Sequence, residues 1–163
     1  MSLVPISSLP PDSRVWCYGT SDSPGENVVE SLRSTLQAFL QSWTAHRADL
    51  RAGFDWIHNR FLVIAVDESL TGASGCSIDA LTTQVRQLES VGNIELLDAS
   101  PVWYRDGSGG IGRMTRDQFR AASTDGVVDG STRVFDLTVD RLEEVTSGRW
   151  EVQAGQSWHA MLL

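Results

Sequence analysis

Two segments with helical periodicity flank a pair of apolar strand-like segments, and this arrangement restricts the possible folds more than any other feature. The strand-like segments span residues 50–57 and 60–66 and meet at His58-Asn59, a short polar pair that favours a hairpin turn. Apolar residues recur at helical spacing from 29 to 43 before the hairpin and from 78 to 88 after it. Each periodic segment predicts a helix that buries one face.

One further strand is predicted on each side of this arrangement, over residues 15–20 and 101–105. The order across residues 14–106 is therefore strand, helix, strand, strand, helix, strand, which is the ferredoxin-like, split βαβ plan of an α+β protein. Ser23 is predicted to cap the first helix. In this plan the end of the first helix, near His46, and the start of the second helix lie at the same end of the sheet.

The two flanking regions differ in composition. Residues 1–13 contain three prolines and four serines, which predicts a disordered tail. Residues 107–163 predict a small α+β extension with helices over 115–122 and 138–145 and strands over 134–137 and 149–152. The glycines of Gly107 to Gly112 predict a hairpin turn, because no strand and helix frame them as a dinucleotide-binding loop requires.

Charge and composition exclude several classes of function. The 21 acidic and 13 basic residues give a net charge of -8, and all 13 bases are arginine. Without lysine the chain has no P-loop, no kinase-type phosphate lysine and no Schiff-base lysine, so it is not a P-loop ATPase. The acidic balance disfavours nucleic acid as a partner.

The cellular setting is predicted from the longest apolar run and the cysteine count. The run from Phe61 to Val66 is too short to cross a membrane, and the N-terminal residues do not resemble a secretory signal. Only Cys17 and Cys76 carry thiols. We therefore expect a cytoplasmic protein with reduced cysteines and no membrane partner.

The segment from Ser74 to Asp79 is the candidate site, because it places small polar side chains at a helix start. Ser77 is the expected cap, and the backbone amides at this helix start can bind a small molecule or anion. The predicted binding residues are Ser74, Gly75, Ser77, Asp79 and Arg105. We expect the positive end of the helix dipole to favour Cys76 as a nucleophile.

A catalytic use of the same segment is a second interpretation. His46 is predicted to lie near Cys76, and Asp67 is a candidate to orient the imidazole. Asp79, Asp67 and Glu68 oppose this interpretation, because nearby carboxylates raise a thiol pKa. Whether the chain is an enzyme therefore stays open at this point, and a noncatalytic helix start is the competing explanation.

No cofactor or metal is predicted from the sequence. The cysteines and histidines show no ligand spacing of the C-x-x-C or H-x-x-x-H kind. We expect neither group in the site.

Several motifs resemble those of a bacterial family of uncharacterised proteins. They are Trp43-Thr44-Ala45-His46, Arg60-Phe61-Leu62-Val63, Val66-Asp67-Glu68, Ala73 to Asp79, Tyr104 to Gly107 and Ser157-Trp158-His159. Members of this family often carry the label ABC-transporter ATPase, and the resemblance would imply that activity. The missing lysine argues against the label, so the resemblance implies a shared structure and no mechanism.

The C-terminal region resembles the GYF-like interaction modules. The resemblance lies in Trp103 to Gly107, Met114 to Phe119 and Gly126 to Val134, although the Gly-Tyr-Phe triplet itself is missing. It implies a small protein-binding domain and hence a noncatalytic interaction module as an alternative function. A structural homodimer is another alternative, because an open four-stranded sheet has edges that can pair.

Overall fold

The structure is a computed structural model that describes residues 3–163 and shows an α+β architecture, as predicted. Met1 and Ser2 lie outside the described residues. The helices are α1 (Glu26–Gln41), α2 (Gly75–Gly92), α3 (Arg116–Thr124) and α4 (Leu142–Thr146). The strands are β1 (Arg14–Gly19), β2 (Thr44–Ala45), β3 (Ala48–Asp49), β4 (Arg51–Ile57), β5 (Phe61–Asp67), β6 (Val102–Arg105), β7 (Ile111–Met114), β8 (Arg133–Phe135) and β9 (Glu151–Gln153). No helix within residues 3–163 combines the length and the apolar character needed to cross a membrane.

The first sheet is antiparallel, has the order β1-β5-β4 and contains the predicted hairpin. His58 and Asn59 both have positive φ, as the tight turn requires. β5 is the central strand, and its residues 61–66 are buried because helices cover one face of the sheet and a second sheet covers the other. This explains why the strand is continuously apolar rather than alternating.

Three strands, β1, β4 and β5, pair as the predicted ferredoxin-like plan requires, but the fourth predicted strand does not. β6 does not join β1 but lies in a second antiparallel sheet with the order β7-β6-β8-β9. Trp103 of β6 packs against Gly19, where a Cβ atom would overlap the indole, and its Nε1 donates to the Thr20 carbonyl oxygen at 2.9 Å. The segment before α4 instead lies along the outer edge of β1, where the Val15 amide donates a hydrogen bond to the Asp140 carbonyl oxygen at 3.0 Å.

The predicted boundary between residues 106 and 107 consequently falls inside the β6–β7 hairpin. β6 pairs with β7 and β8, so it groups with the C-terminal region. The glycine-rich segment forms the predicted turn, in which the Asp106 amide donates to the Gly110 carbonyl oxygen at 2.9 Å and Gly109 has a φ of 84°.

Three apolar clusters hold these layers together. The first lies between α1, α2 and one face of the first sheet. The second joins the opposite face to the second sheet, with the Phe61 ring 4.7 Å from that of Phe135 and 5.1 Å from that of Trp150. The third lies within the C-terminal region, around Val102, Phe119, Val128, Val134, Ala154 and Leu162.

The prediction of a disordered tail is wrong for residues 3–13. The Val4 amide donates to the Ala52 carbonyl oxygen at 2.8 Å, and Leu9 is only 6% exposed within the second cluster. Gly53 allows this segment to cross β4, because a Cβ atom there would lie 2.6 Å from the Val4 oxygen. The prolines shape an irregular segment that is nevertheless packed. The prediction for Met1 and Ser2 lies outside the described residues.

Candidate functional site

The two candidate catalytic residues His46 and Cys76 share one groove of the structure. Both line an open groove of about 320 Å³ between the chain that follows α1 and the start of α2. The apolar residues of the groove are Phe39, Trp43, Ala45 and Ala80, and the polar residues are Ser42, Thr44, His46, Ser74, Cys76 and Ser77. The groove therefore contains no Asp or Glu, although the chain carries 21 acidic residues.

His46 reaches the groove from a hairpin, not from a helix end. α1 ends at Gln41, five residues earlier than predicted. After it, β2 and β3 form a hairpin whose two-residue turn is His46-Arg47. Their φ values of 51° and 65° are those of a type I′ turn. The imidazole is exposed at this tip.

Ser74, rather than Ser77, is the N-cap of α2. The Ser74 hydroxyl accepts a hydrogen bond from the Ser77 amide at 3.2 Å, which satisfies one of the amides left unpaired at a helix start. The Ser77 side chain is 3% exposed and donates back to the Ser74 carbonyl oxygen at 2.8 Å. Ser77 thus fixes the geometry of the turn, while Ser74 is also part of the groove wall.

Trp43 is a residue of this region whose role the sequence did not reveal. Its Nε1 donates to the Ser77 carbonyl oxygen at 2.9 Å in a buried position, and its ring packs against Phe39 at 5.7 Å. This bond ties the base of the β2–β3 hairpin to the first turn of α2. The apolar periodicity placed Trp43 in the core, but no local signal links it to a carbonyl group 34 residues away.

The first two amides of α2 are available to a ligand. Within the described part of the chain, the backbone N–H groups of Gly75 and Cys76 have no hydrogen-bond partner, as expected for the first turn of a helix. The first turn also contains no acidic side chain. Two free amides and the positive end of the helix dipole can hold an anion at this point.

Cys76 carries the exposed thiol of the molecule. It lies in the first turn of α2, and its thiol makes no hydrogen bond to His46 or to any other residue among residues 3–163. Cys17 is half-buried in β1, where burial, followed by the charges of Asp136 and Glu144, raises the pKa of its thiol to about 12. Cys76 is therefore the thiol that can react.

Asp67 does not orient His46. Its carboxylate pairs with Arg51 at 3.3 Å and accepts a hydrogen bond from the Ser69 amide at 2.9 Å. The hydrogen bonds from Ser69, supported by Arg51, lower the pKa of this carboxyl group. The proposed third member of a catalytic group is thus engaged in a turn at the end of β5.

Arg105 and Asp79 also lie outside the groove. Arg105 belongs to the second sheet, where it pairs with Glu151 at 2.6 Å and donates to the Gly109 carbonyl oxygen at 3.0 Å. Asp79 is exposed on α2 beyond its first turn, three residues after Cys76, and does not line the groove. Neither residue can be assigned to the binding set.

No group of three or more metal-ligating side chains is found in residues 3–163. Comparison of the chain with protein-family models, with curated proteins and with solved structures finds no match. The resemblances to a bacterial family and to GYF-like modules therefore stay predictions.

Proposed function

We propose that the groove between the β2–β3 hairpin and the start of α2 binds a small anionic molecule. The free amides of Gly75 and Cys76 are the anion donors, and His46 forms the opposite wall. The observation that carries this proposal is that the groove contains no carboxylate in a chain with a net charge of -8. An anion is repelled by most of the surface and meets free N–H donors here.

The shape of the groove limits the ligand to a small one. A volume of about 320 Å³ lies at the lower end of the range for small-molecule sites. Phe39 and Trp43 offer an apolar surface beside the amides, and the Ser42 and Thr44 hydroxyls can each donate or accept. The chemistry fits a phosphate or carboxylate group attached to a compact, partly apolar body.

Thiol chemistry by Cys76 is a second use of the same groove, favoured by the exposure of this thiol. The dependence of its alkylation rate on pH tests this version. An apparent pKa near the ordinary thiol value of about 8.5 would remove it, because no thiolate would then be stabilised. Thiol chemistry by Cys76 requires a reduced thiol, and a cytoplasmic environment would keep both cysteines in that form.

The interaction-module alternative loses part of its support. Trp103 and Trp150 are buried, whereas Tyr104 and Trp158 are half-buried, so an exposed aromatic groove has at most two of its four candidate members.

The homodimer alternative depends on the free sheet edges. The β4 edge is covered near Ala52 by residues 3 and 4, and the β1 edge meets Asp140. Light scattering of the full chain measures the solution mass, and a dimeric mass would restore this alternative.

Calorimetric titration with inorganic phosphate, sulfate and acetate at constant ionic strength tests the binding proposal. Saturable binding of at least one of these anions supports it, and binding of none contradicts it. Cys76→Ala is the matched variant that separates the two uses of the groove. Because it keeps both backbone amides, it must still bind the anion, whereas any thiol chemistry must disappear.

A further inference from the structure

The C-terminal segment, residues 154–163, closes the third apolar cluster of the protein. Ala154 and Leu162 are buried members of this cluster, together with Phe119 of α3 and Val134 of β8. The Ala154 amide donates to the Thr132 carbonyl oxygen at 2.8 Å, and the Gly155 amide donates to that of Gly130 at 2.9 Å. Removing this segment would expose the apolar residues that it covers.

His159 is the buried titratable group of the C-terminal segment. Its side chain is 1% exposed, and its Nδ1 lies 2.6 Å from the Ser157 hydroxyl oxygen. Its Nε2 is buried and has no hydrogen-bond partner in the described part of the chain. The Trp158 ring stacks on the imidazole, with 3.9 Å between the ring centres. The Nε1 atom of Trp158 is likewise buried without a hydrogen-bond partner in the described part of the chain.

The charged groups around His159 offer no direct partner to an imidazolium. Arg116, at the start of α3, stacks on Trp158 at 4.8 Å and adds a second positive charge. Asp136 follows β8, and its Oδ1 accepts a hydrogen bond from the Thr138 amide at 2.9 Å. Asp117 and Arg120 of α3 pair with each other at 2.8 Å on an exposed surface. A proton on Nε2 would therefore be a buried charge next to an arginine.

We propose that the C-terminal segment is an acid-labile closure, in which protonation of His159 releases residues 157–163 and uncovers the third cluster while the first sheet stays folded. The imidazole must leave its site to hydrate its charge, and the short 3₁₀ segment Trp158–Leu162 is the element that can move with it. The other two histidines, His46 and His58, are both exposed at hairpin turns. Neither must therefore leave a buried position when it takes up a proton, so the first sheet stays folded.

The direction of the pH effect follows from the titration of His159. Burial, which is the largest influence, and Arg116 lower its pKa from 6.5 to about 4, against the opposing charge of Asp136. The folded state thus binds the proton more weakly than the open state. The closure is fully stable above about pH 6.5 and loses stability as the pH falls to about 4.

Hydrogen exchange measured by mass spectrometry between pH 7 and pH 4.5, corrected for intrinsic exchange rates, tests this proposal on the full chain. We expect the protection of amides in residues 157–163 to fall by up to about tenfold per pH unit below 6.5, as one linked proton allows. Amides of β5 should keep their protection over the same range. Carboxylates such as Asp98 and Asp129 have lowered pKa values, so their titration lies below this window.

His159→Gln should remove the pH dependence in residues 157–163, and His58→Gln, at an exposed turn, should leave it unchanged. An unchanged pH dependence in His159→Gln, or simultaneous loss of protection in β5, would overturn the proposal. If the variant does not fold, an NMR titration of the wild-type imidazole decides the question. A midpoint well below 6 supports the proposal, and a midpoint near the ordinary value of about 6.5 contradicts it.

Discussion

The starts of the two long helices differ in the features that decide whether a helix start can accept an anion. α1 has Gly25 as its N-cap, makes no side-chain cap bond and carries Glu26 in its first turn. α2 has the Ser74 cap and no acid in its first turn. Both starts open onto a groove, and the one beside α1 is the larger, at about 610 Å³ against 320 Å³.

This difference shows that groove size does not identify the site. The groove beside α1 is lined by Glu26, whose carboxylate already lies at the positive end of the helix dipole, and by Glu30, which pairs with Arg33 at 4.0 Å. The groove beside α2 leaves the same dipole and two amides free. Within residues 3–163 the first-turn amides of α1 are unpaired as well, because α1 has no side-chain cap. Charge, and not volume or the number of unpaired amides, therefore distinguishes the two helix starts.

Trp43→Ala is expected to have the largest effect, because Trp43 holds the hairpin wall of the groove on α2. Loss of a buried tryptophan typically costs about 3–5 kcal/mol of the free energy of unfolding. Urea denaturation measures this loss. Trp43→Phe, which removes the bond to Ser77, should cost more than Trp56→Phe, which removes the exposed bond to Asn59. Equal costs for the two phenylalanine variants would show that the Trp43–Ser77 bond does not matter.

Ser74→Ala tests the difference in capping directly. We expect a loss of about 1 kcal/mol in the free energy of unfolding, since the Ser77 amide loses its acceptor. Ser23→Ala is the matched control, because the cap of α1 is Gly25 and not Ser23. Denaturation curves of both variants give the comparison, and a comparable loss in Ser23→Ala would show that the α1 start is capped by a side chain after all.

Ala80→Glu makes the α2 groove resemble the α1 groove by adding a carboxylate. Ala80 is exposed on the groove wall, so the folded state should tolerate the larger side chain. Repulsion of about 1 kcal/mol near the surface would weaken anion binding by several-fold. Ala80→Gln, which is neutral, should bind as the wild type does. Calorimetric titration with the same anion measures both affinities, and equal weakening by Glu and Gln would indicate a steric cause.

The sequence predicted the parts of the fold that depend on local pattern. The β4–β5 hairpin, α1 and α2 follow from a polar turn and from helical periodicity, and their order agrees with His46 and Cys76 lining the same groove. The position of β6 could not be predicted, because it depends on Trp103 meeting Gly19 across 84 residues of chain. Prolines likewise predicted an irregular N-terminal segment but not its packing against β4.

The helix start that forms the candidate site was predicted from the sequence, but not every residue assigned to that site lies there. Ser74, Gly75, Cys76 and Ser77 are where a small-residue helix start placed them. Asp67 and Arg105 were assigned by residue type, but long-range pairing with Arg51 and Glu151 engages them elsewhere. The partner of a charged side chain is decided by tertiary structure, which periodicity does not report.

The most direct test of the anion site compares Gly75→Pro with Gly75→Ala. Position 75 is the first residue of α2, where proline is compatible with a helix, and Ser74 already has the extended backbone that precedes a proline. A Cβ atom at position 75 would meet no atom within 4 Å, so alanine creates no clash there. Proline removes one of the two free amides, whereas alanine keeps both.

Calorimetric titration of both variants with the anion that binds the wild type gives the decisive comparison. Loss of one hydrogen bond to a charged group, worth about 1.5–3 kcal/mol, predicts binding about 10- to 150-fold weaker in Gly75→Pro and unchanged in Gly75→Ala. Equal affinities in the two variants would contradict the account, because the amides of the α2 start would then not be what holds the anion.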